Sequence, residues 1–417
     1  MRTSMMMLPM LPMTCLALAA STLGACKWTE FDDIQNEAWV NSTEKPNVKS
    51  SDYGVAVQRG ARSGDGGRLV VLGAGEATYS ELVYNAKGES SFPATAVGLK
   101  ELYGIPNIAP QPVLLADPST DDISLIVGSD NGVAMLTGAM GTLKLYQLFN
   151  QGAPDAGTYM LAPTHSELLP LVAVGENVLG ALLPALPTGV TQPICKLVDS
   201  ATAGFKAQVR ALGVVRTGAG TTDDVLVWDA GGKLYKYPSS VFNGCATAEP
   251  KGSVDTTFKP DQGAQILAIE GTTRVLLQGH TGDAGFLRVY DAAGNSPVAV
   301  GEATMVPKLR TAALLVAGGT TFAVAGIPNA IVSGVTAGQV ELFKVATSGA
   351  TGIDSTPSAT LNDAQPENNQ TFGRSVAAMP YNGKQVLAVA ANNEIFVYFR
   401  ANLSDGTALY DETRQGR

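Results

Sequence analysis

Two histidines, four cysteines and a few paired carboxylates are the side chains from which this 417-residue chain could build a reactive centre. His165 lies in APTHSE and His280 in QGHTGD. Neither has the HExxH arrangement or another spacing that would set two imidazoles on one metal, and both read as turn residues. The cysteines, Cys15, Cys26, Cys195 and Cys245, have neither CxxC nor Cys/His spacing, which excludes a zinc site. Asp32–Asp33 and Asp223–Asp224 fall in polar stretches, where solvation accounts for them. The chain has no GxSxG elbow, no phosphate loop and no GxGxxG between a strand and a helix. The sequence therefore reads as non-enzymatic, with the reservation that propeller-like enzymes assemble sites from scattered residues.

Composition narrows the partners. The formal charge of −9 argues against nucleic acid or an anionic membrane surface. Only 16% of residues are charged, while glycine (46) and proline (23) are abundant, and no long segment has helical periodicity. That combination predicts many short strands joined by turns.

The best-defined stretch is Thr371–Arg400, TFGRSVAAMPYNGKQVLAVAANNEIFVYFR. It reads as three strands, with turns at Pro380–Lys384 and Asn392–Asn393, Pro380 ending the first strand. So small a unit cannot bury its own faces, so it must be repeated. An apolar strand ending in a small residue or a turn recurs at 69–73, 124–128, 171–175, 225–229, 275–279, 322–326 and 387–391. Successive starts are 55, 47, 54, 50, 47 and 65 residues apart, the period of a four-stranded blade with variable loops. Most copies have a weaker apolar strand before them and a strand with an aromatic near its end after them. The expected fold is all-β, a seven-bladed β-propeller of four-stranded antiparallel blades. Small residues would crowd the axis and aromatics would fill the outer strands. Ring closure needs one more strand, from Glu37–Asn41 or from Thr407–Asp411. The first is preferred because it would bury Trp39.

The N-terminus has one arginine, an apolar run broken by Pro9 and Pro12, and then Leu23-Gly24-Ala25-Cys26. The segment reads as a secretory signal peptide. The tetrapeptide resembles a bacterial lipobox, and that resemblance implies a lipid on Cys26 as first mature residue; the alternative is an ordinary signal peptide with an incidental cysteine. No acidic residue follows Cys26, which points to the outer membrane. Leu168–Leu186 is the nearest to a spanning segment, but Glu176, Asn177, Pro170 and Pro184 interrupt it. Outside the cytoplasm, Cys195 and Cys245 would form a disulfide or stay as two buried thiols. The expected division is 1–25 signal peptide, 26–51 lipid-anchored tether (with part docking on the domain), 52–402 propeller and 403–417 tail.

Phe372-Gly373-Arg374-Ser375-Val376-Ala377, followed by Leu387-Ala388-Val389-Ala390, resembles the FG-GAP repeat of integrin alpha-chain propellers. Tyr53-Gly54-Val55-Ala56-Val57 with Leu72-Gly73-Ala74-Gly75, and Ala325-Gly326-Ile327-Pro328, carry parts of it. The resemblance implies a binding propeller whose copies often hold calcium in a loop of alternating carboxylates. This chain departs from that pattern. Ser63–Gly67 has one carboxylate, Asp117, Asp121 and Asp122 are wrongly spaced, and Lys384 brings a positive charge to the last copy. No metal or other cofactor is expected, and those three aspartates are the candidates should calcium bind. Trp228-Asp229 resembles a WD repeat, but occurs once and without its Gly-His partner.

The functional expectation is a lipid-anchored envelope module that binds a protein or glycan. The alternatives are a periplasm-facing assembly scaffold and a propeller hydrolase or lyase acting on envelope sugars or lactones.

Overall fold

The structure, a computed structural model, describes residues 249–317 and 319–363 without a break, then 366–381, 384–392 and 394–401, together with 209–216 and 223–238; before residue 209 it describes the strands. No helix occurs among the described residues.

After β1 (Val40–Ser42), the strands β2 (Tyr53–Arg59), β3 (Leu69–Gly73) and β4 (Thr78–Tyr84) form an antiparallel meander. The two-residue strands β5 (Ser90–Ser91) and β6 (Val97–Gly98) both pair with β4. A second meander holds β7 (Val113–Ala116), β8 (Ile123–Ser129), β9 (Gly132–Gly138) and β10 (Lys144–Phe149). A short parallel contact of β2 with β7, Gln58 opposite Leu114, joins the two meanders into one nine-stranded sheet.

The remaining strands make four-stranded antiparallel sheets and one small hairpin. The first sheet contains β11 (Met160–Ala162), β12 (Leu171–Val174), β13 (Val178–Ala181) and β14 (Cys195–Asp199). Next come β15 (Val209–Arg216), β16 (Asp223–Asp229), β17 (Lys233–Tyr237) and β18 (Gly252–Asp255). Then follow β19 (Gln265–Ala268), β20 (Arg274–Thr281), β21 (Ala284–Asp291) and β22 (Val298–Met305). In the next, β23 (Thr311–Ala317) and β24 (Thr320–Ile327) are separated from β27 (Gln339–Val345) and β28 (Ala359–Leu361) by the hairpin β25 (Ile331–Val332) and β26 (Val335–Thr336). The last sheet has β29 (Ser375–Tyr381), β30 (Lys384–Ala391) and β31 (Glu394–Ala401), and β1 pairs with β31 as its fourth strand, Val40 opposite Tyr398.

The first strands of successive sheets lie side by side: β15 on β19, β23 on β29, and β29 on β2. The succession of sheets thus returns on itself. Each sheet is consequently covered on both faces, which is why its second strand is a continuous apolar run rather than an alternating one. On β20, Val275 and Leu277 pack toward the preceding sheet with Trp228, while Leu276 packs toward the next sheet with Ala323 and Ala325. Trp228 fits because Gly279 lies opposite, where a Cβ would strike the indole. The Trp228 Nε1–H is satisfied by Thr256 Oγ1 at 3.2 Å.

Several expectations change at the level of strands. The aromatics are not confined to outermost strands: Tyr237, Tyr290 and Phe343 sit on third strands, buried between sheets. In the β7–β10 sheet the aromatic strand is the fourth, because GVAMLTG forms the third. The closing strand is 40–42, overlapping the expected 37–41 in its last two residues, and Trp39 lies outside the described residues. Pro380 does not end its strand. It pairs with Gln385 within β29, an edge strand on that side, where a missing N–H breaks no ladder. Among the described residues the 65-residue interval from 322 to 387 contains no further four-stranded sheet; the hairpin inserted at 328–338 and the longer connections around β28 account for it.

Candidate binding face

At one end of the sheets, three connections are laced together by short hydrogen bonds. The approach to β19 meets the β20–β21 turn: Asp261 N donates to His280 O (2.8 Å), Gly282 N to Asp261 Oδ2 (2.7 Å) and Thr281 Oγ1 to Lys259 O (2.6 Å). The approach to β23 meets the same turn: Lys308 N donates to Asp283 O (2.7 Å) and Val306 N to Gly285 O (2.8 Å). Gly282, at φ 57, takes the first position of the two-residue turn, the place where a type II′ hairpin requires φ > 0.

Arg310 fastens this junction. Its guanidinium donates to Gly282 O and Leu309 O, and to Asp283 Oδ1 at 2.9 Å. Its own N–H continues the β23–β24 ladder to Gly326 O (3.0 Å), and Lys308 Nζ reaches Asn329 O (3.0 Å). Asp283 is 73% exposed and Asp261 51% exposed, so the end of the junction presents two carboxylates to solvent.

His280, expected in a turn, is a residue of β20 paired with Gly285. Its Nδ1 stands 3.6 Å from Asp261 Oδ2, beyond hydrogen-bond distance. Burial and the nearby Arg310 charge hold the imidazole pKa below its usual value, with Asp261 pulling the other way. No group of three His, Cys, Asp or Glu suited to a metal occurs among the described residues.

The hairpin β25–β26 extends the same end. Its turn, Ser333 (φ 50) and Gly334 (φ 86), has both central residues at positive φ, as a type I′ turn needs. Thr336 O accepts from Asn369 N (2.7 Å) and Ala337 O from Phe372 N (2.8 Å), so the hairpin rests on the approach to β29. Ile331 is 67% exposed. Other connections of this kind are short: residues 282–283 between β20 and β21, 392–393 between β30 and β31.

The stretches that carry the FG-GAP resemblance meet beneath this hairpin. Gly326 faces Gly373 so closely that a Cβ on Gly326 would collide with the Gly373 carbonyl, and Gly338 is as tight against Phe372. Phe372 is fully buried, edge-on to Phe396 with ring centroids 5.1 Å apart. The paired glycines thus let two sheets approach at the backbone level.

The opposite end is built for cohesion. Asp224, expected in a solvated turn, is buried on β16 with Lys236 Nζ at 3.0 Å and Lys251 Nζ at 2.8 Å. Lys236 also donates to Ala292 O and Gly294 O of the next sheet. Arg274 similarly donates to the carbonyls of Ala346, Gly349 and Thr351 one sheet further on.

Of the other predicted positions, Cys195 opens β14 opposite Ala181. Cys26, Asp117, Asp121, Asp122, His165 and Cys245 lie outside the described residues, and so does any bridge to Cys195. Arg310, Asp261 and Asp283 were not singled out from the sequence. The one local signal was the Thr-Gly-Asp turn after His280.

No family model matches the chain, and no curated protein matches it by sequence. Solved structures do. It is similar to Chaetomium thermophilum Raptor, with a TM-score of 0.54 at 14% identity, over 88% of this chain and 29% of that one. It is also similar to the β-propeller domain of Cps50 (Swd1) of Myceliophteria thermophila, with a TM-score of 0.53 at 14% identity, over 87% of this chain and 99% of that domain. The fold is a β-propeller. The four-stranded sheets are its blades, and the face bearing Asp261, Arg310 and the β25–β26 hairpin is one end of the propeller. The chain spans under a third of the Raptor chain, so that likeness concerns the propeller portion alone.

Proposed function

We propose that this protein is a seven-bladed, FG-GAP-like propeller that works as a binding module, holding a protein or glycan on the face formed by the β20–β21 turn, Arg310 and the β25–β26 hairpin. The observation that carries the reading is that hairpin. Where other blades make the same crossing in two to four residues, this one spends residues 328–338, braces them on the next blade and leaves Ile331 exposed. Extra, well-held loop structure on a rigid scaffold is the usual place for recognition. The contact between Gly326 and Gly373 supports the family resemblance, because it gives both glycines one packing role.

The lipobox-like Leu23–Cys26 supports anchoring of this module to the cell envelope, at the outer membrane, through lipid on Cys26. Several acyl chains at about 0.8 kcal/mol per buried methylene hold a protein without a spanning segment.

The test compares mature wild-type protein with Ile331→Asp and Arg310→Glu for capture of envelope proteins and glycans. Retention of a defined ligand by wild type and its loss in Ile331→Asp, with unchanged melting, is the expected result. Equal capture by all three would remove this face from the proposal. Protease treatment of intact cells separates a surface adhesin from a periplasm-facing scaffold, since only the former is cut before the envelope is opened.

A further inference from the structure

The seam between the β19–β22 blade and the β23–β28 blade contains a polar group that the protein itself leaves unanswered. Gln278 is fully buried at the middle of β20, and neither its Nε2 nor its Oε1 has a hydrogen-bond partner among the described residues. Strand alternation fixes where it points. Val275, Leu277 and Gly279 face Trp228 on the preceding blade, so Leu276, Gln278 and His280 face the following one. The core of the following blade on this side is apolar, with Ala312, Ala323, Ala325 and Ile327 in it, side chains that neither donate nor accept. Directly opposite on β19, Gln265 is already engaged, its Oε1 accepting from Ala312 N at 2.7 Å. One step toward the binding face, His280 Nδ1 is likewise buried and lacks a hydrogen bond.

Buried amides are almost always satisfied, and in protein interiors an ordered water commonly does it when two to four polar atoms converge. Here Gln278 leaves an amide donor and an amide acceptor open beside an apolar core. The open atoms demand a guest that both donates and accepts. An ion does not suit the place, because Gln278 is neutral and the alanines bring no counter-charge.

We propose that this seam is a binding site for water, seated on the Gln278 amide and reached from the face beside His280. The water gives a hydrogen to Oε1 and takes one from Nε2. The site adds a wet contact between two blades just beneath the proposed binding face.

The side-chain amide protons of Gln278 in the intact mature protein report on this directly. After assignment by their disappearance in Gln278→Met, they are expected to show a cross-relaxation peak to solvent with the negative sign of a long-lived bound water. Magnetic relaxation dispersion of the solvent is expected to lose at least one long-lived water in Gln278→Met and to be unchanged in Gln265→Met, whose amide already has a protein partner. A crystal structure should place solvent density within hydrogen-bond distance of both Gln278 amide atoms. Absence of the cross-relaxation peak, or density showing the amide turned onto a protein partner, overturns the proposal. Should Gln278→Met not fold, selective labelling of glutamine side chains and the wild-type crystal structure decide the matter alone.

Discussion

At the scale of single residues, Asp224 and Lys236 show most clearly what paired sheets demand of charge. Both are 2% exposed, and the lysine is fully engaged by Asp224 and two carbonyls of the next blade. Lys236→Met is expected to destabilise the fold by about 3 kcal/mol, since it leaves those acceptors and part of a buried carboxylate unpaired. Lys251→Met should cost clearly less, because Lys251 is 37% exposed; denaturant midpoints compare the two. Glu341 is the reverse case. Burial raises its carboxyl pKa above the usual value, so the folded state penalises the charged form. Glu341→Gln should therefore raise stability at pH 7, with the gain vanishing as pH falls below the ordinary glutamate range. His280 has a lowered pKa, so the unfolded chain takes up its proton first as pH falls. Its contribution is complete above about pH 6.5 and is lost as pH drops through the folded-state value. Melting curves between pH 7.5 and pH 5 should show a decline that is shallower in His280→Asn. None of these partners was legible in the sequence. Asp223–Asp224 looked like an ordinary solvated pair, because its lysines lie 12 and 27 residues from Asp224 in sequence and only the meander brings them near.

At the scale of elements, sequence reading succeeded where burial on both faces writes a continuous apolar run. The second strands were visible for that reason, and the turn at 392–393 falls between β30 and β31 as expected. It failed for strands at the rim. β18, β22 and β28 have one edge without a partner strand, carry mixed residues such as GSVD and VAVGEATM, and so leave no periodic trace. β9 was missed because GVAMLTG has no aromatic, the feature expected of a third strand. The closing strand gives the sharpest test at this scale. Asn41→Pro removes a donor in the middle of β1, opposite Val397. It is expected to lower the melting temperature and speed hydrogen exchange across β31, with little change in the β19–β22 blade. Unchanged exchange in β31 would show that β1 does not hold the last blade.

At the scale of the whole molecule, the return of β29 onto β2 makes every blade an interior layer. The period suggested this, since closing a repeat of about fifty residues into a ring covers the apolar faces of its first and last copies. The face that recognises a ligand was not legible. Period describes what the blades share, whereas the β25–β26 hairpin and the Arg310 junction are what one or two blades have and the others lack. A long interval between repeats, 65 residues here, was the only trace of the insertion.

The strand that completes the last blade has a mechanical meaning if Cys26 is the anchor. Fourteen residue steps separate Cys26 from Val40, a reach of roughly 50 Å when fully extended. The propeller would then hang from its rim, at the last blade, on a leash shorter than most flexible stalks. Any pull on a captured ligand would be delivered to the bilayer through β1, the three-residue ladder on β31. On that anchoring, a stalk peeling from this edge would open the circle of blades before it freed the lipid, and the clasp of the fold would carry the load.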